Sequence, residues 1–193
     1  FFILVAAISV FTPIKNYFYH LANKYFFSSL YDARQVIAEL SDKLRSTLDI
    51  NAINKSIADT LINSFHTKAV AVMTYDEKTN EYVAQYDSGL ALGGQKRFFS
   101  NDILRADYVM ANKSIIVEEL KENIQPGYKQ TLELLLKLKI AILTPLNIKD
   151  KNIGLIALSA KESGDMYNDE DLQVMKVAGA QAAIALENAL LYE

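Results

Sequence analysis

The sequence predicts an α+β fold in which an antiparallel sheet is flanked by helices, with long helices at both the N-terminal and C-terminal ends. Two pairs of strand-forming runs are each joined by a short polar turn, at residues 76–80 and 149–151, which is typical of β-hairpins. Apolar residues recur at helical spacing before the first hairpin, and a capped apolar helix follows the second. Hairpins favour antiparallel pairing, and the helices are needed to cover the sheet.

The composition excludes several classes of function. Of the 193 residues, 51% are hydrophobic and 22% are charged, which suits one globular domain with an appendage. A net charge of −3 without a basic stripe argues against nucleic acid as a partner. The absence of cysteine excludes thiolate metal sites, cysteine nucleophiles and a cofactor attached through sulfur. Neither histidine has clustered ligands around it in the sequence, so we expect no metal and no cofactor.

Residues 1–12 are predicted to be the end of a transmembrane helix. The run Phe1–Phe11 is apolar except for Ser9, no acidic residue occurs in 1–31, and Lys15 and Lys24 follow as on a cytoplasmic flank. A run of ~10–14 apolar residues is more often a core segment. The charges and the aromatic residues of 17–27 nevertheless favour a membrane, and a signal peptide would carry its charges first. We therefore expect the chain to lie at the cytoplasmic face of the cell membrane.

Linker helices are predicted over residues 13–48, and a second helix follows them. One apolar stripe of the linker has a spacing of four residues and consists of Val36, Leu40, Leu44 and Leu48. Asp49 is a suitable cap for the next helix, which ends at His66 and Thr67.

The remaining elements are shorter. Phe98 and Phe99 indicate a brief strand, and a short helix through Met110 follows. The pattern then predicts a strand at Ser114–Leu120, a helix at Tyr128–Leu138 and strands at Ile140–Ile148 and Asn152–Ala160. Pro145 indicates a sheet edge or a bulge within the first of these two strands.

The C-terminal helix carries two apolar stripes with alternating spacings of three and four. The first stripe includes the small residues Gly179 and Ala182, which allow close approach to a sheet, and consists of Leu172, Met175, Gly179, Ala182, Leu186 and Ala189. The second has the spacing of a coiled-coil seam and consists of Val174, Val177, Gln181, Ile184, Asn188 and Leu191. We expect the second stripe to face another copy, and the linker stripe to add a second seam, so that a parallel homodimer forms through the N- and C-terminal helices. The alternative is a single deeply buried helix.

Several short motifs follow one another in the C-terminal part of the chain. They are Pro145-Leu146, Gly154, Lys161, Ser163-Gly164-Asp165, Tyr167, Glu170-Asp171 and the run from Ala185 to Ala189. In this order they resemble the closing half of GAF domains from membrane-bound bacterial sensor histidine kinases, and residues 13–50 resemble the juxtamembrane segment of such kinases. The resemblance covers most of the chain and is weakest over 86–112.

The resemblance implies that residues 49–193 form a GAF domain that includes the start of a C-terminal signalling helix. It also implies a non-catalytic regulatory module of a two-component system, which passes signals as a homodimer to a histidine kinase output. A module that regulates a nucleotide cyclase or phosphatase output is the alternative function, and a self-sufficient small-molecule enzyme is the third. Bilin-binding and sulfoxide-reducing members of the family use cysteine, which this chain lacks, and the cyclic-nucleotide signature is absent around Asn112-Lys113.

A pocket for an unknown small molecule is expected between the sheet and the loop Gly89–Asn112. Its candidate lining residues are apolar or aromatic and are Met73, Tyr86, Phe98, Leu104 and Tyr108. For each of them, the role of an ordinary core residue is the favoured explanation.

Overall fold

A computed structural model describes residues 28–90, 92, 97–99, 105–122 and 126–192. The chain divides into two units, Phe1–Gln35 and Val36–Glu193. The predicted transmembrane segment 1–12, residues 13–27 of the predicted linker and the pocket candidate Leu104 lie outside the described residues. Among those that are described, one helix, Asp169–Tyr192, is long and apolar enough to cross a bilayer, but much of its surface is buried inside the protein. Its length and composition are therefore weak support for a membrane span.

Two helices precede the sheet. Helix α1 spans Ser28–Arg45 and helix α2 spans Ile50–Phe65. The Asp49 carboxylate accepts the backbone N–H groups of Asn51 and Ala52 at 2.8 and 3.0 Å, which confirms the predicted cap. Helix α2 ends at His66 in the left-handed conformation, as a C-terminal cap often does.

The sheet is antiparallel and has six strands in the order β3-β2-β1-β6-β5-β4. The strands are β1 Val70–Asp76, β2 Glu81–Ser88, β3 Arg97–Phe99, β4 Ile115–Ile116, β5 Ile142–Ile148 and β6 Lys151–Leu158. Both predicted hairpins are confirmed, as β1–β2 and β5–β6. Pro145 lies beyond the two residues of β5 that pair with β4, and a bulge follows it between Leu146 and Asn147. Its missing N–H therefore removes no bond on the β4 side.

The prediction of a strand over Ser114–Leu120 is wrong for the residues after Ile116. Strand β4 has only two residues, and Val117–Glu122 forms helix α3. The Val117 N–H donates to the Ala141 carbonyl at 2.9 Å, and this is where the chain turns into the helix. Glu118 and Glu119 then occupy the first helical turn, where carboxylates are favoured by the helix dipole.

Three further elements complete the fold. A π-helical turn at Arg105–Val109 replaces the end of the predicted short helix through Met110. A 3₁₀ turn at Pro126–Tyr128 leads into helix α4, Lys129–Lys137, as predicted. Helix α5, Asp169–Tyr192, follows β6.

The two faces of the sheet are covered by different elements. Helices α2 and α5 contact each other on one face, where α5 lies against β5 and β6 and α2 lies against β1 and β2. The other face holds an apolar core to which β1 contributes Ala71 and Met73, and to which α3 and α4 contribute Leu120, Leu132 and Leu135. Glycine is required at position 154, because a Cβ atom there would overlap the Met73 carbonyl oxygen on β1.

Candidate functional site

One face of α5 is the intramolecular face. Its buried residues include five of the six members of the first predicted stripe, namely Met175, Gly179, Ala182, Leu186 and Ala189. A Cβ atom at Gly179 would lie 3.1 Å from the Pro145 carbonyl oxygen and 3.3 Å from Thr144 Cγ2. The small residues of this stripe therefore allow the helix to approach β5 closely, as predicted.

The second stripe of α5 is mostly exposed in the single chain. Val177, Ile184 and Leu191 have 39%, 54% and 78% of their surface exposed. Asn188 is exposed, Gln181 is half-buried, and only Val174 is buried. Large apolar side chains at a four-and-three spacing on one helix face are typical of a helix that packs on a partner. The dimer seam concerns a second copy of the chain and stays a prediction.

The apolar stripe of α1 has a different environment. Val36, Leu40 and Leu44 are all buried within the single chain, while Leu48 lies beyond the end of α1 and is 55% exposed. Most of the predicted second seam is therefore already used inside the protein. Helix α1 is joined to α5 by a hydrogen bond in which Ser41 Oγ donates to Gln181 Oε1 at 2.8 Å.

A groove of about 400 Å³ continues from this hydrogen bond along α1 and α5. It is lined by residues of both helices and of the segment after α1, which are Ser41, Leu44, Arg45, Thr47, Leu48, Gln181, Ile184, Ala185 and Asn188. The Ser41–Gln181 hydrogen bond is one point at which the two sides of the groove meet. The exposed side chains of Ile184 and Asn188 thus lie at the edge of this groove.

The N-terminal end of α5 is held by a network of polar contacts. Asn168 and Asp171 cap the helix reciprocally, with the Asp171 N–H donating to Asn168 Oδ1 at 3.0 Å and the Asn168 N–H donating to Asp171 Oδ2 at 2.8 Å. The Lys161 ammonium donates to the same Asp171 oxygen at 2.5 Å, with both side chains 15% exposed. This pair ties the start of α5 to the segment that leaves β6.

Tyr167 joins that network to the sheet and to α2. Its hydroxyl donates to the Ser159 carbonyl at 2.7 Å, and its ring packs edge-on against Phe65 with centroids 5.9 Å apart. The Lys161 ammonium lies 5.3 Å from the centre of the same ring. Burial raises the pKa of Tyr167 well above its usual range. The motif residues Lys161, Tyr167 and Asp171 therefore fix the direction in which α5 leaves the sheet.

The predicted pocket residues lie in different places. Met73 is buried in the core on the α3 and α4 face, and Tyr108 is half-buried with its ring 6.2 Å from that of Tyr128. Phe98 belongs to β3 and pairs with Tyr82. Met73 and Tyr108 thus belong to one core, and the pocket itself stays a prediction.

The structure corrects the placement of Tyr86. In a regular strand Tyr82, Ala84 and Tyr86 would share one face, but β2 has a bulge that pairs Met73 with Ala84 and Val72 with Tyr86. One residue is thereby added to β2, and Tyr86 moves to the face covered by α2. The pKa of Lys55 on α2 is raised, first by its hydrogen bond to Asp59 and also by the nearby Tyr86. Tyr86 therefore does not line a site with Met73.

The buried amide of Asn152, which the sequence analysis did not single out, connects the strands beneath this core. Asn152 accepts a hydrogen bond from the Tyr82 hydroxyl at 3.0 Å and donates to the Gly154 carbonyl at 2.8 Å and to Asn147 Oδ1 at 2.7 Å. Asn147 in turn donates to the Val109 carbonyl at 2.6 Å, so the network reaches the π-helical turn. The signal in the sequence was an asparagine beside the apolar run of β6.

The same turn is held by a second contact. The Tyr128 hydroxyl donates to the Asp107 carboxylate, and this hydrogen bond, together with burial, raises the pKa of Tyr128 to about 12. Over the described ranges, no three histidine, cysteine, aspartate or glutamate side chains come close enough to hold a metal ion.

Comparison with known proteins identifies the family. The GAF domain model matches residues 49–188, which is more than half of the chain. The chain belongs to the GAF domain family. No curated protein matches its sequence. GAF domains are sensory and regulatory modules, so the fold and the class of function inferred from the resemblance are confirmed at this level.

Solved structures show the same GAF fold at low sequence identity. The GAF domain of a phosphoenolpyruvate-protein phosphotransferase from Coxiella burnetii is 14% identical, with a TM-score of 0.66 over 84% of this chain and 96% of that one. Residues 122 to 287 of a methyl-accepting chemotaxis protein are 15% identical, with a TM-score of 0.61 over 80% and 98%. A phycoerythrobilin-bound GAF domain from a cyanobacterial phytochrome is 15% identical, with a TM-score of 0.62 over 83% and 97%.

Proposed function

We propose that this GAF domain is a non-catalytic relay of a membrane-bound sensor histidine kinase, which dimerises through α5 and passes changes of helix packing to a C-terminal kinase output. The observation that carries the proposal is the exposed apolar side of α5. Val177, Ile184 and Leu191 face away from the sheet, although the opposite side of the same helix is buried. Packing against a second α5 would remove these side chains from water.

The burial of the α1 stripe narrows the predicted interface. Because Val36, Leu40 and Leu44 are used within the chain, the seam is assigned to α5, with Leu48 at its side. Asn188 then occupies a core position of the seam, where a single polar residue fixes the register of a parallel dimer. Structures related in fold come from a chemotaxis protein and a phytochrome, which supports a signalling role without specifying the output.

The test of the seam is a pair of substitutions on opposite sides of α5. Ile184→Asp is expected to make the protein monomeric while leaving it folded, because the side chain is exposed in one chain. Leu186→Asp is expected to unfold it, because that side chain is fully buried and a carboxylate there would lose its hydration. Lys176→Asp, at an exposed position of α5 outside the seam, is the matched control.

Sedimentation velocity gives the oligomeric state of each variant, and far-UV circular dichroism gives its fold. A monomer for the unmodified protein at high concentration would contradict the seam, as would a dimer that survives Ile184→Asp unchanged. Loss of the dimer in Lys176→Asp would show that any added carboxylate on α5 has this effect.

The membrane location and the kinase output rest on the sequence. The apolar run Phe1–Phe11 with Lys15 and Lys24 after it supports anchoring at the cytoplasmic face, and flotation of the chain with liposomes tests it. In the full-length protein, a histidine followed by an acidic residue soon after Glu193 would favour the kinase, whereas a nucleotide cyclase or phosphatase domain would favour the alternative output. Native mass spectrometry of freshly purified protein tests whether a small molecule is retained. Turnover of a small molecule by this chain alone would favour an enzyme.

A further inference from the structure

Helix α1 and helix α5 are joined by one hydrogen bond that has two alternatives. Ser41 Oγ lies 2.8 Å from Gln181 Oε1 and 2.7 Å from the Ile37 carbonyl oxygen, one turn back in its own helix. A hydroxyl carries a single proton, so Ser41 donates to one of these two acceptors at a time. The proton therefore has one position that joins the helices and one that is internal to α1.

The exchange between these positions costs little. In either case the Ser41 hydroxyl donates to one acceptor. When its bond to Gln181 is absent, the half-buried Gln181 amide keeps access to water. Burial of Val36, Leu40 and Leu44 sets which face of α1 points inward, and the hydrogen bond of Ser41 adds a directional contact beside that face. Rotation of α1 by one residue, about 100°, would turn Ser41 away from Gln181.

Gln181 is also a member of the predicted dimer seam. It lies between Val177 and Ile184, which are both exposed, and it is the residue of the seam that a side chain of α1 contacts through a hydrogen bond. The groove beside it is lined by Ser41 and Gln181 together with Ile184 and Asn188 of the seam. A change at position 181 therefore reaches both α1 and the seam, without passing through the sheet.

We propose that Ser41 and Gln181 form a register pin, which couples α1 directly to α5 within one protomer and sets the side-chain arrangement at the centre of the seam. The inference rests on the proposed function for its output, since the seam is where the change would be read. The pin itself is intramolecular, because both partners belong to one chain.

The experiment measures hydrogen–deuterium exchange of the full chain by mass spectrometry, in segments that cover Ser41 and Gln181. Loss of one hydrogen bond in Ser41→Ala is expected to raise exchange in both segments by about three- to tenfold. Gln181→Leu is expected to do the same, and the double variant is expected to show no further increase, because the two side chains act through one bond. Ser41→Thr keeps the hydroxyl and is expected to restore slow exchange.

The control is Ser64→Ala. Ser64 makes the same bond to the carbonyl four residues back, with Thr60, and its hydroxyl is half-buried on α2. This variant removes a serine hydroxyl of the same kind whose hydrogen bond stays within α2, so exchange around Gln181 is expected to stay unchanged. An equal increase in Ser64→Ala would overturn the pin, as would unchanged exchange of α5 in Ser41→Ala or an additive double variant.

The Ile184→Asp background separates the pin from the dimer. In a monomer the effect of Ser41→Ala on α5 is expected to persist, because the hydrogen bond is within one chain. If the unmodified protein is already monomeric, the seam proposal fails while the exchange measurement still decides the pin. If the effect appears only in the dimer, the bond does not act within a protomer and the pin is refuted.

Discussion

Substitution of glycine by alanine at three positions should give three different losses of stability. Gly154 in β6 is paired with Thr74 of β1 and with Leu146 of β5. A Cβ atom at this position would overlap the Met73 carbonyl oxygen and would lie 2.9 Å from the carbonyl carbon. These are backbone atoms, so no rotamer change removes the clash, and β1 and β6 must move apart.

The size of each loss follows from these neighbours. Overpacking a core usually costs about 1–3 kcal/mol, and a clash with backbone at the centre of a sheet should lie at or above the upper end. Gly164 has a φ of +83° with no atom within 4 Å of the added Cβ, so alanine there should cost only the left-handed strain of about 1–2 kcal/mol. At Gly179 the contacts are 3.1 and 3.3 Å, and a gain in helix propensity of about 1 kcal/mol offsets most of the crowding.

The assay is urea unfolding of each variant followed by far-UV circular dichroism, with the free energy of unfolding extrapolated to water. We expect Gly154→Ala to lose about 3 kcal/mol or more, Gly164→Ala about 1–2 kcal/mol, and Gly179→Ala less than about 1 kcal/mol. A loss at Gly179 that exceeds the loss at Gly154 would refute the reasoning, because it would mean that the α5 contact with the sheet is tighter than the contact between β1 and β6.

Three further substitutions test the polar networks near the π-helical turn. Asn152→Ala should lower the free energy of unfolding by about 1–3 kcal/mol in the same urea assay, because it removes the buried amide that bonds to the Tyr82 hydroxyl, to Asn147 Oδ1 and to the Gly154 carbonyl. The companion variant Tyr82→Phe should cost less, because it removes one of these bonds. Tyr128 has a pKa raised from 10.0 to about 12 in the folded protein, so its stabilising effect should be intact below pH 10 and lost as the pH rises through 12. Between pH 10 and 12, the free energy of unfolding should therefore fall less in Tyr128→Phe than in the unmodified protein. An equal fall in both proteins would contradict the raised pKa of Tyr128.

The sequence was informative wherever structure depends on local chemistry. Asp49 caps α2 through its own side chain, and the two polar turns close hairpins between neighbouring runs, so each can be recognised from a few adjacent residues. The intramolecular stripe of α5 was predictable because its periodicity is expressed in one continuous helix.

The errors came from features that a short window does not contain. The bulge in β2 moves Tyr86 to the opposite face, and nothing in the alternation of Tyr82, Ala84 and Tyr86 announces it. The hydrogen bond between Ser41 and Gln181 joins residues 140 positions apart. Its existence depends on the packing of α1 on α5, which the periodicity of either helix alone does not fix.

The anchoring of α5 limits the kind of motion that the proposed relay could use. Sliding the helix by one turn, about 5.4 Å, would break both the 2.5 Å contact of Lys161 with Asp171 and the cap at Asn168. It would also replace Gly179 beneath Pro145 with a larger residue, where even one added Cβ is tight. Beyond Ala189, in contrast, the last described residues of α5 are exposed. Because Ala182, Leu186 and Ala189 are buried, the fold favours a change in the direction of α5 beyond Ala189 over translation or rotation of the whole helix.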